Sequence, residues 1–213
     1  MFSAPKQEEI SHLTIKLVVG LIALSLATLT NLFAKAPLTS ISASYYEGGW
    51  SQSIFVGFLF AIAAFLLAYN GFSRTDMVMS KLAAVAALGV AMFPCQCDSH
   101  TEVVPYVHWI AAATMFLILV YFCYSFYRRA REKGHAQANV RAVFYAGCGI
   151  LILLSILILA LDNLFNRVLS SKVPRLIFYG ECTGLVAFGI SWLIASRVLP
   201  LITTKDERFS PFE

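Results

Sequence analysis

The stretch VRAVFYAGCGILILLSILILAL, residues 140–161, decides the class of fold. It contains one charged residue, next to its beginning, and its length is close to the roughly 20 residues that a helix needs to cross about 30 Å of hydrocarbon. Its polarity does not alternate as it would in a strand of a membrane barrel. The stretch is therefore predicted to be a transmembrane helix.

Five further apolar runs of comparable length accompany it. The chain is 59% apolar and 13% charged, whereas soluble domains are about 45–50% apolar and about 25% charged. The mean hydropathy is +0.73. We predict an all-α, polytopic membrane protein in which residues 1–213 form one domain, a six-transmembrane-helix bundle. The predicted spans cover about residues 13–33, 51–72, 78–93, 103–126, 140–161 and 176–199.

The basic residues predict how these spans are oriented. With a cytoplasmic N-terminus, twelve of the 16 lysines and arginines fall on the cytoplasmic side. Because positive residues accumulate there, we predict that both termini are cytoplasmic, in a cell membrane that would be the inner membrane of a bacterial host. Topology thus accounts for the net charge of +4, and no nucleic-acid partner is expected. The twelve are Lys6, Lys16, Arg74, Lys81, Arg128, Arg129, Arg131, Lys133, Arg141, Arg197, Lys205 and Arg208.

A carboxylate, Glu181, interrupts the sixth apolar run. It lies about five to eight residues into the span, roughly 10 Å below its outer end. At that depth an ionised carboxylate needs a wet cavity or a partner. Glu181 is either a protonated or paired group that ties helices together, or a ligand, base or proton carrier. His108 is its expected partner; the alternative is a histidine bonded to a backbone carbonyl. Asp162, at the end of the fifth span, either joins them or is simply solvated.

The polar residues at the outer ends of the spans predict an outward-facing polar cavity. We expect it to bind or organise membrane lipids, its predicted partners. An alternative is an intramembrane lipid hydrolase or acyltransferase, with or without a metal, in which His108, Glu181 and Asp162 are catalytic. A second alternative is a proton-coupled small-solute carrier in which Glu181 titrates. The predicted binding residues are Ser44, Tyr46, Glu47, His108 and Glu181.

The segment CQCDSH, residues 95–100, admits two interpretations. Cys95, Cys97 and His100 are of the types that bind zinc, but paired cysteines of structural zinc sites usually stand further apart. The other interpretation is a disulfide among Cys95, Cys97 and Cys182, because this loop faces an oxidising compartment in a typical bacterium. Cys182 can take part only if the third and sixth spans adjoin. No motif in the sequence indicates a cofactor.

Small residues recur at helical spacing in three spans. Such residues let helix backbones approach closely, so packing within the bundle is one interpretation and a homo-oligomer seam is the other. The three sets are Gly57, Ala61, Ala64 and Ala68; Ser80, Ala84, Ala87 and Ala91; and Gly180 with Gly184.

The segment RRAREKGHAQANVR, residues 128–141, is a dense basic stretch beside the membrane. Its ordinary interpretation is topogenic charge that also contacts anionic headgroups. The alternative is a docking surface for a specific phosphoinositide-like lipid or for a protein.

Three stretches and the region of His108 resemble a family of bacterial six-span membrane proteins of unassigned activity. The stretches are SISASYYEGGWSQSIFVGFLFAIAAFLLAYNGF (40–72), AALGVAMFP (86–94) and ECTGLVAFGISWL (181–193). That family is distantly similar to the eukaryotic damage-regulated autophagy modulators and GPI-anchor lipid-remodelling proteins. The resemblance covers about residues 40–196, although CQCDSH and EGGW depart from the family pattern. It implies the six-helix topology and, by analogy, a lipid-related role. The matching positions are Ser44, Tyr46, Asp76, His108, Glu181 and Trp192.

Overall fold

The computed structural model describes residues 11–97, 100 and 104–210. Within these residues the protein is helical, without a strand, and six helices are long and apolar enough to cross a membrane. The predicted six-helix bundle is confirmed, and the protein is a multi-pass membrane protein. Its helices are α1 (His12–Leu32), α2 (Ser44–Glu47), α3 (Gly49–Ala68), α4 (Arg74–Met92), α5 (Val107–Lys133), α6 (Ala136–Leu164), α7 (Val168–Lys172) and α8 (Leu176–Ala195).

The six long helices form a closed ring of neighbours. Helix α1 packs on α3, α3 on α4, α4 on α5, α5 on α6, α6 on α8, and α8 again on α1. The helices α1, α4 and α6 begin at one end of the bundle, where α3, α5 and α8 end. We call this the basic end, and the other the opposite end. The short helices α2 and α7 lie at the opposite end.

Aromatic side chains fill the centre of the ring. Trp192, Phe122 and Phe188 are at most 2% exposed. The ring of Trp192 lies 5.5 Å from that of Phe122 and 5.2 Å from that of Phe188, between centroids. Tyr69 completes the cluster 5.3 Å from Trp192. Along α8 this cluster lies between Glu181 and the basic end, so packed rings separate the two ends of the bundle.

The predicted basic loop between the fourth and fifth spans is helical over most of its length. Helix α5 continues to Lys133, well beyond residue 126, and ends where Gly134 adopts a left-handed conformation. Helix α6 then begins at Ala136, capped by the side chain of His135. Arginine, lysine, glutamate and alanine favour helices, so α5 extends past the apolar window that predicted it. Most of the basic residues are therefore fixed on helices.

The other boundaries differ less from the prediction. Helix α4 begins at Arg74, four residues before the apolar run, because the hydroxyl of Ser73 caps it by accepting from the N–H of Asp76 at 3.0 Å. Helices α3 and α8 end at Ala68 and Ala195, short of the predicted ends at 72 and 199. Residue 103, where the fourth span was predicted to begin, lies outside the described residues, as does Lys6 of the predicted cytoplasmic set.

The small-residue sets divide between the inside and the outside of the ring. The set on α4 is buried, and the glycines of α8 contact neighbouring helices: a Cβ at Gly184 would lie 2.5 Å from the ring of Phe116 on α5. On α3, by contrast, Gly57 and Ala64 are exposed, and a Cβ at Gly57 would meet nothing within 4 Å. Close packing thus accounts for two sets, and the homo-oligomer seam stays a prediction for the third.

Candidate functional site

Glu181 at the opposite end holds a turn of the α1–α3 connection. Its Oε2 accepts a hydrogen bond from the backbone N–H of Ile41 at 2.5 Å, and the N–H of Ser42 also points to the carboxylate. The turn continues into α2, and the hydroxyl of Ser40 accepts from the N–H of Ala43. The first N–H groups of a helical segment have no partner within it. Glu181 supplies that partner, which is the tying role foreseen as one of its two interpretations.

His108 bonds to the same turn rather than to Glu181. Its Nδ1 lies 2.6 Å from the carbonyl oxygen of Phe93, which can only accept, so Nδ1 carries the proton. Its Nε2 lies 3.1 Å from the hydroxyl of Ser42 and accepts from it. The structure therefore does not have the expected pair of His108 with Glu181. Glu181 binds the N–H of Ile41, and His108 binds the hydroxyl of the next residue, Ser42.

Asp162 is buried, with only 3% of its surface exposed, so the expectation of a solvated carboxylate is wrong. It accepts hydrogen bonds from the N–H groups of Leu169 and Ser170, at 2.8 and 3.1 Å, and from the Ser170 hydroxyl. These donors belong to α7. Asp162 thus fixes the α6–α8 connection.

The predicted ligand-binding residues of the first outer loop also have intramolecular contacts. The hydroxyl of Ser44 donates to the carbonyl of Ile41. The hydroxyl of Tyr46 donates to the carbonyl of Cys95 at 2.8 Å. Glu47 accepts from the N–H of Lys35 at 2.9 Å. Two of these contacts lie within the connection between α1 and α3, and the third joins it to the segment that follows α4.

The cysteines of the CQCDSH segment form a disulfide. Cys95 is bonded to Cys97, and Cys182 is a free, half-buried thiol, so Cys182 is not in the bond that had been considered for it. His100 stacks on the ring of Tyr46, with 3.8 Å between centroids. Disulfide sulfurs are not the thiolates that bind zinc. Among the described residues no three His, Cys, Asp or Glu side chains are grouped as a metal site.

A cavity of about 310 Å³ lies at the basic end. The ends of α1, α5, α6 and α8 surround it. Its lining includes one carboxylate, Glu132, which is paired with the exposed Arg128. Five cationic side chains line it: Lys16, Arg129, Lys133, Arg141 and Arg197.

Lys16 is the most deeply buried of these cations. It lies about one turn into α1 and is 3% exposed. Aromatic rings surround its ammonium, which is 4.8 Å from the centroid of Phe72, 5.3 Å from that of Phe126 and 5.6 Å from that of Tyr69. Within the described part of the chain it has no ion pair or hydrogen bond. A buried ammonium without a carboxylate is costly, and such residues in membrane proteins face polar cavities or partners.

Arg129 has one satisfied and one unsatisfied edge. Its Nη1 binds Oδ2 of Asp76 at 2.7 Å. Its Nη2 is buried without a hydrogen bond to any described residue. The hydroxyl of Tyr69 lies beside this guanidinium and interacts with it, but neither that hydroxyl nor Nη2 makes a hydrogen bond of ordinary geometry to a described residue. The hydroxyl of Tyr69 is protonated at neutral pH, as a phenol is, and can donate a hydrogen bond. Two buried polar groups next to Lys16 therefore have unused hydrogen-bonding capacity.

Asp76 carries one negative charge, so it cannot balance both Arg129 and Lys16, and its hydrogen-bonding capacity is already used. Its Oδ1 accepts from the hydroxyls of Tyr121 and Ser125, at 2.9 and 2.8 Å. Its Oδ2 accepts from Arg129 and from the N–H of Phe72, at 2.7 and 3.1 Å. A carboxylate has about four lone-pair sites, and these four donors use them.

The segment after α8 compensates part of the positive charge in the outer part of the cavity. Glu207 binds Arg141 at 2.8 Å and also pairs with Lys133. Partial burial alone would raise the pKa of Glu207, but the hydrogen bonds from these two cations outweigh it and lower the pKa to about 2. Two lining cations, Lys16 and Arg197, have no carboxylate partner in the described residues. The cavity is therefore positive at its inner wall.

From the sequence, Lys16 was expected to be topogenic charge only, whereas Arg129 and Arg141 belong to the basic stretch 128–141, for which a lipid or protein docking surface was the alternative. The sequence did mark Lys16 as unusual, because a charged residue inside an apolar run needs a partner or a polar cavity. Lys16 lies inside the first apolar run as Glu181 lies inside the last. No pattern in the sequence placed these cations around one cavity. Comparison of the chain with protein-family models, curated proteins and solved structures found no match.

Proposed function

We propose that this membrane protein binds the headgroups of anionic lipids in the cavity at its basic end. The buried, unpaired ammonium of Lys16 at the wall of that cavity carries the proposal. The cationic lining supplies the complementary charge, and the rings of Phe72 and Phe126 keep the inner wall poor in water. The positive-inside rule predicts that this end faces the cytoplasm, where anionic lipids are concentrated.

The sequence-based proposal placed lipid binding at the opposite end, around Tyr46, Glu47, His108 and Glu181. The structure gives these side chains hydrogen bonds within the protein. A ligand there would have to replace existing contacts. At the basic end it would meet Lys16 and Arg197, which have no carboxylate partner among the described residues, so we place lipid binding at that end.

The test compares lipids of one chain length added to purified protein in a neutral detergent. Short-chain phosphatidylglycerol should raise the thermal unfolding midpoint, because a ligand of the folded state stabilises it, and phosphatidylcholine should not. Lys16→Met should lose this effect while being at least as stable as the wild type without lipid, since it removes an uncompensated buried charge. Equal midpoint shifts with both lipids would refute the proposal.

The matched control exploits two consecutive arginines. Arg129 lines the cavity, whereas Arg128 is 62% exposed and pairs with Glu132 along the surface of α5. Arg128→Gln should keep the lipid response and Arg129→Gln should weaken it. An equal loss in both variants would mean that general surface charge, not the cavity, binds the lipid.

A second candidate function, the hydrolase or acyltransferase, rests on the contact between Ser42 and His108. A hydroxyl 3.1 Å from Nε2, with Nδ1 oriented by a carbonyl, has the reach of a nucleophile and its base. However, Ser42 is only 7% exposed, which limits access of a substrate. The nearby N–H of Ile41 is already bound to Glu181, so it is not free to stabilise an oxyanion. Labelling by a fluorophosphonate probe that Ser42→Ala abolishes would support this function; an unlabelled wild type would remove it.

A further inference from the structure

The cavity has two polar regions with different charge balance. At the rim, Glu207 pairs with Lys133 and Arg141. At the inner wall, Lys16 and Arg197 have no carboxylate among the described residues, and Nη2 of Arg129 is unsatisfied. A ligand that reaches the inner wall meets charge that the protein itself leaves uncompensated.

The two innermost cations contact the same pair of aromatic rings. Lys16 and Arg129 lie 4.8 and 4.4 Å from the centroid of Phe72, and both lie 5.3 Å from that of Phe126. Like charges so placed repel each other, and the single negative charge of Asp76, which pairs with Arg129, cannot balance both of them. The arrangement favours an anion compact enough to contact both cations.

The charge and the number of oxygens narrow the class of anion. A phosphodiester carries one negative charge and two free oxygens. A phosphomonoester has three free oxygens and, with a second pKa near 6, about −1.5 to −2 charges at neutral pH. The two uncompensated cations, Lys16 and Arg197, match the charge of the monoester. Together with Nη2 of Arg129 they offer donors for its three oxygens. Guanidinium groups also fit the geometry of phosphate oxygens.

We infer that the inner wall of this cavity, formed by Lys16, Arg129 and Arg197, is a binding site for a terminal phosphomonoester group. The inference rests on the proposed function and specifies it: the preferred headgroup is a phosphomonoester, as in phosphatidic acid. The cavity volume of about 310 Å³ suits a headgroup, since ligand cavities begin at about 300 Å³.

The experiment measures the affinity of the purified full-length chain for short-chain phosphatidic acid and for phosphatidylglycerol with identical acyl chains, at neutral pH. Phosphatidic acid should bind at least roughly tenfold more tightly. Lys16→Met should remove most of this preference, and Arg128→Gln should retain it. The comparison of the two lipids on the wild type needs no variant to fold.

The outcomes separate the two proposals. If both lipids bind equally but better than phosphatidylcholine, the phosphomonoester inference is overturned and anionic-lipid binding stands. If neither exceeds phosphatidylcholine, both are overturned. Glycerol phosphate and inorganic phosphate form a further arm. If they compete with phosphatidic acid at its own concentration, the phosphomonoester site stands, but its ligand is a soluble phosphate and the lipid proposal fails.

Discussion

A methyl group added at Gly189 should force α1 and α8 apart. Its Cβ would lie 2.7 Å from Cγ of Leu24 and 2.9 Å from the carbonyl oxygen of Gly20, both on α1. Ordinary contacts of a Cβ are 3.4–4 Å. The side chain of Leu24 can rotate, but the oxygen of Gly20 belongs to the helix backbone. Relief therefore requires that α1 itself move.

Two opposing terms set the magnitude. Overpacking a close contact costs about 1–3 kcal/mol, and replacing a helical glycine by alanine gains up to about 1 kcal/mol. With the full gain, Gly189→Ala should therefore lower the free energy of unfolding by about 0–2 kcal/mol, which leaves it about 1–3 kcal/mol less stable than a variant that has the gain alone. Gly57→Ala, on the open face of α3, meets nothing within 4 Å and keeps only the gain. It should be neutral or more stable by up to about 1 kcal/mol.

Thermal or denaturant unfolding of the two variants beside the wild type, in one detergent, measures the difference. Helix α1 carries Lys16 and α8 leads into Arg197, so Gly189→Ala should also weaken the binding of anionic lipid, whereas Gly57→Ala should not. If the two variants were equally stable, the close approach of α1 and α8 at Gly189 would be refuted.

Three further measurements test other contacts. Glu207→Gln should destabilise the protein at neutral pH. Because the pKa of Glu207 falls from 4.5 to about 2 on folding, the difference in unfolding midpoint from the wild type should shrink below about pH 4.5 and vanish near pH 2. A pH-independent difference would contradict the ion pairs of Glu207. Asp76→Asn should lower the free energy of unfolding by about 3–5 kcal/mol in denaturant titrations, because it leaves Arg129 without its counterion. A loss within about 1 kcal/mol, as for a surface pair, would contradict this. Thiol titration of the unfolded chain should find three free cysteines before reduction and five after it; five before reduction would refute the bond between Cys95 and Cys97.

Hydropathy was sufficient to predict the six helices, because the need to satisfy backbone hydrogen bonds in lipid leaves few alternatives to a helix. Hydropathy predicted the helix boundaries poorly at the basic end, because an apolar window stops at the first charged residues. Helix α5 shows this: it continues to Lys133, because helix propensity and not hydropathy decides where it ends. The prediction of a loop there hid the fact that these cations have fixed positions.

The candidate site was harder to predict because it depends on how the helices are rotated against one another. The rule that a charge within an apolar run needs a partner identified Glu181 correctly as an unusual residue. It could not tell that the partner is the N–H of Ile41 and not His108. Applied to Lys16, the same rule would have pointed to the basic end. The cavity itself requires α1, α5, α6 and α8 to meet, and sequence spacing carries no information about that meeting.

The adjacency of α1 and α8 has a consequence for biosynthesis. Of the six spanning helices, α1 is synthesised first and α8 last, yet the two pack against each other in the finished bundle. Until α8 is inserted, the ring stays open and the charged interior of the basic end is accessible to lipid from that side. A chain that lacks α8 would therefore leave polar groups accessible that are buried in the finished bundle.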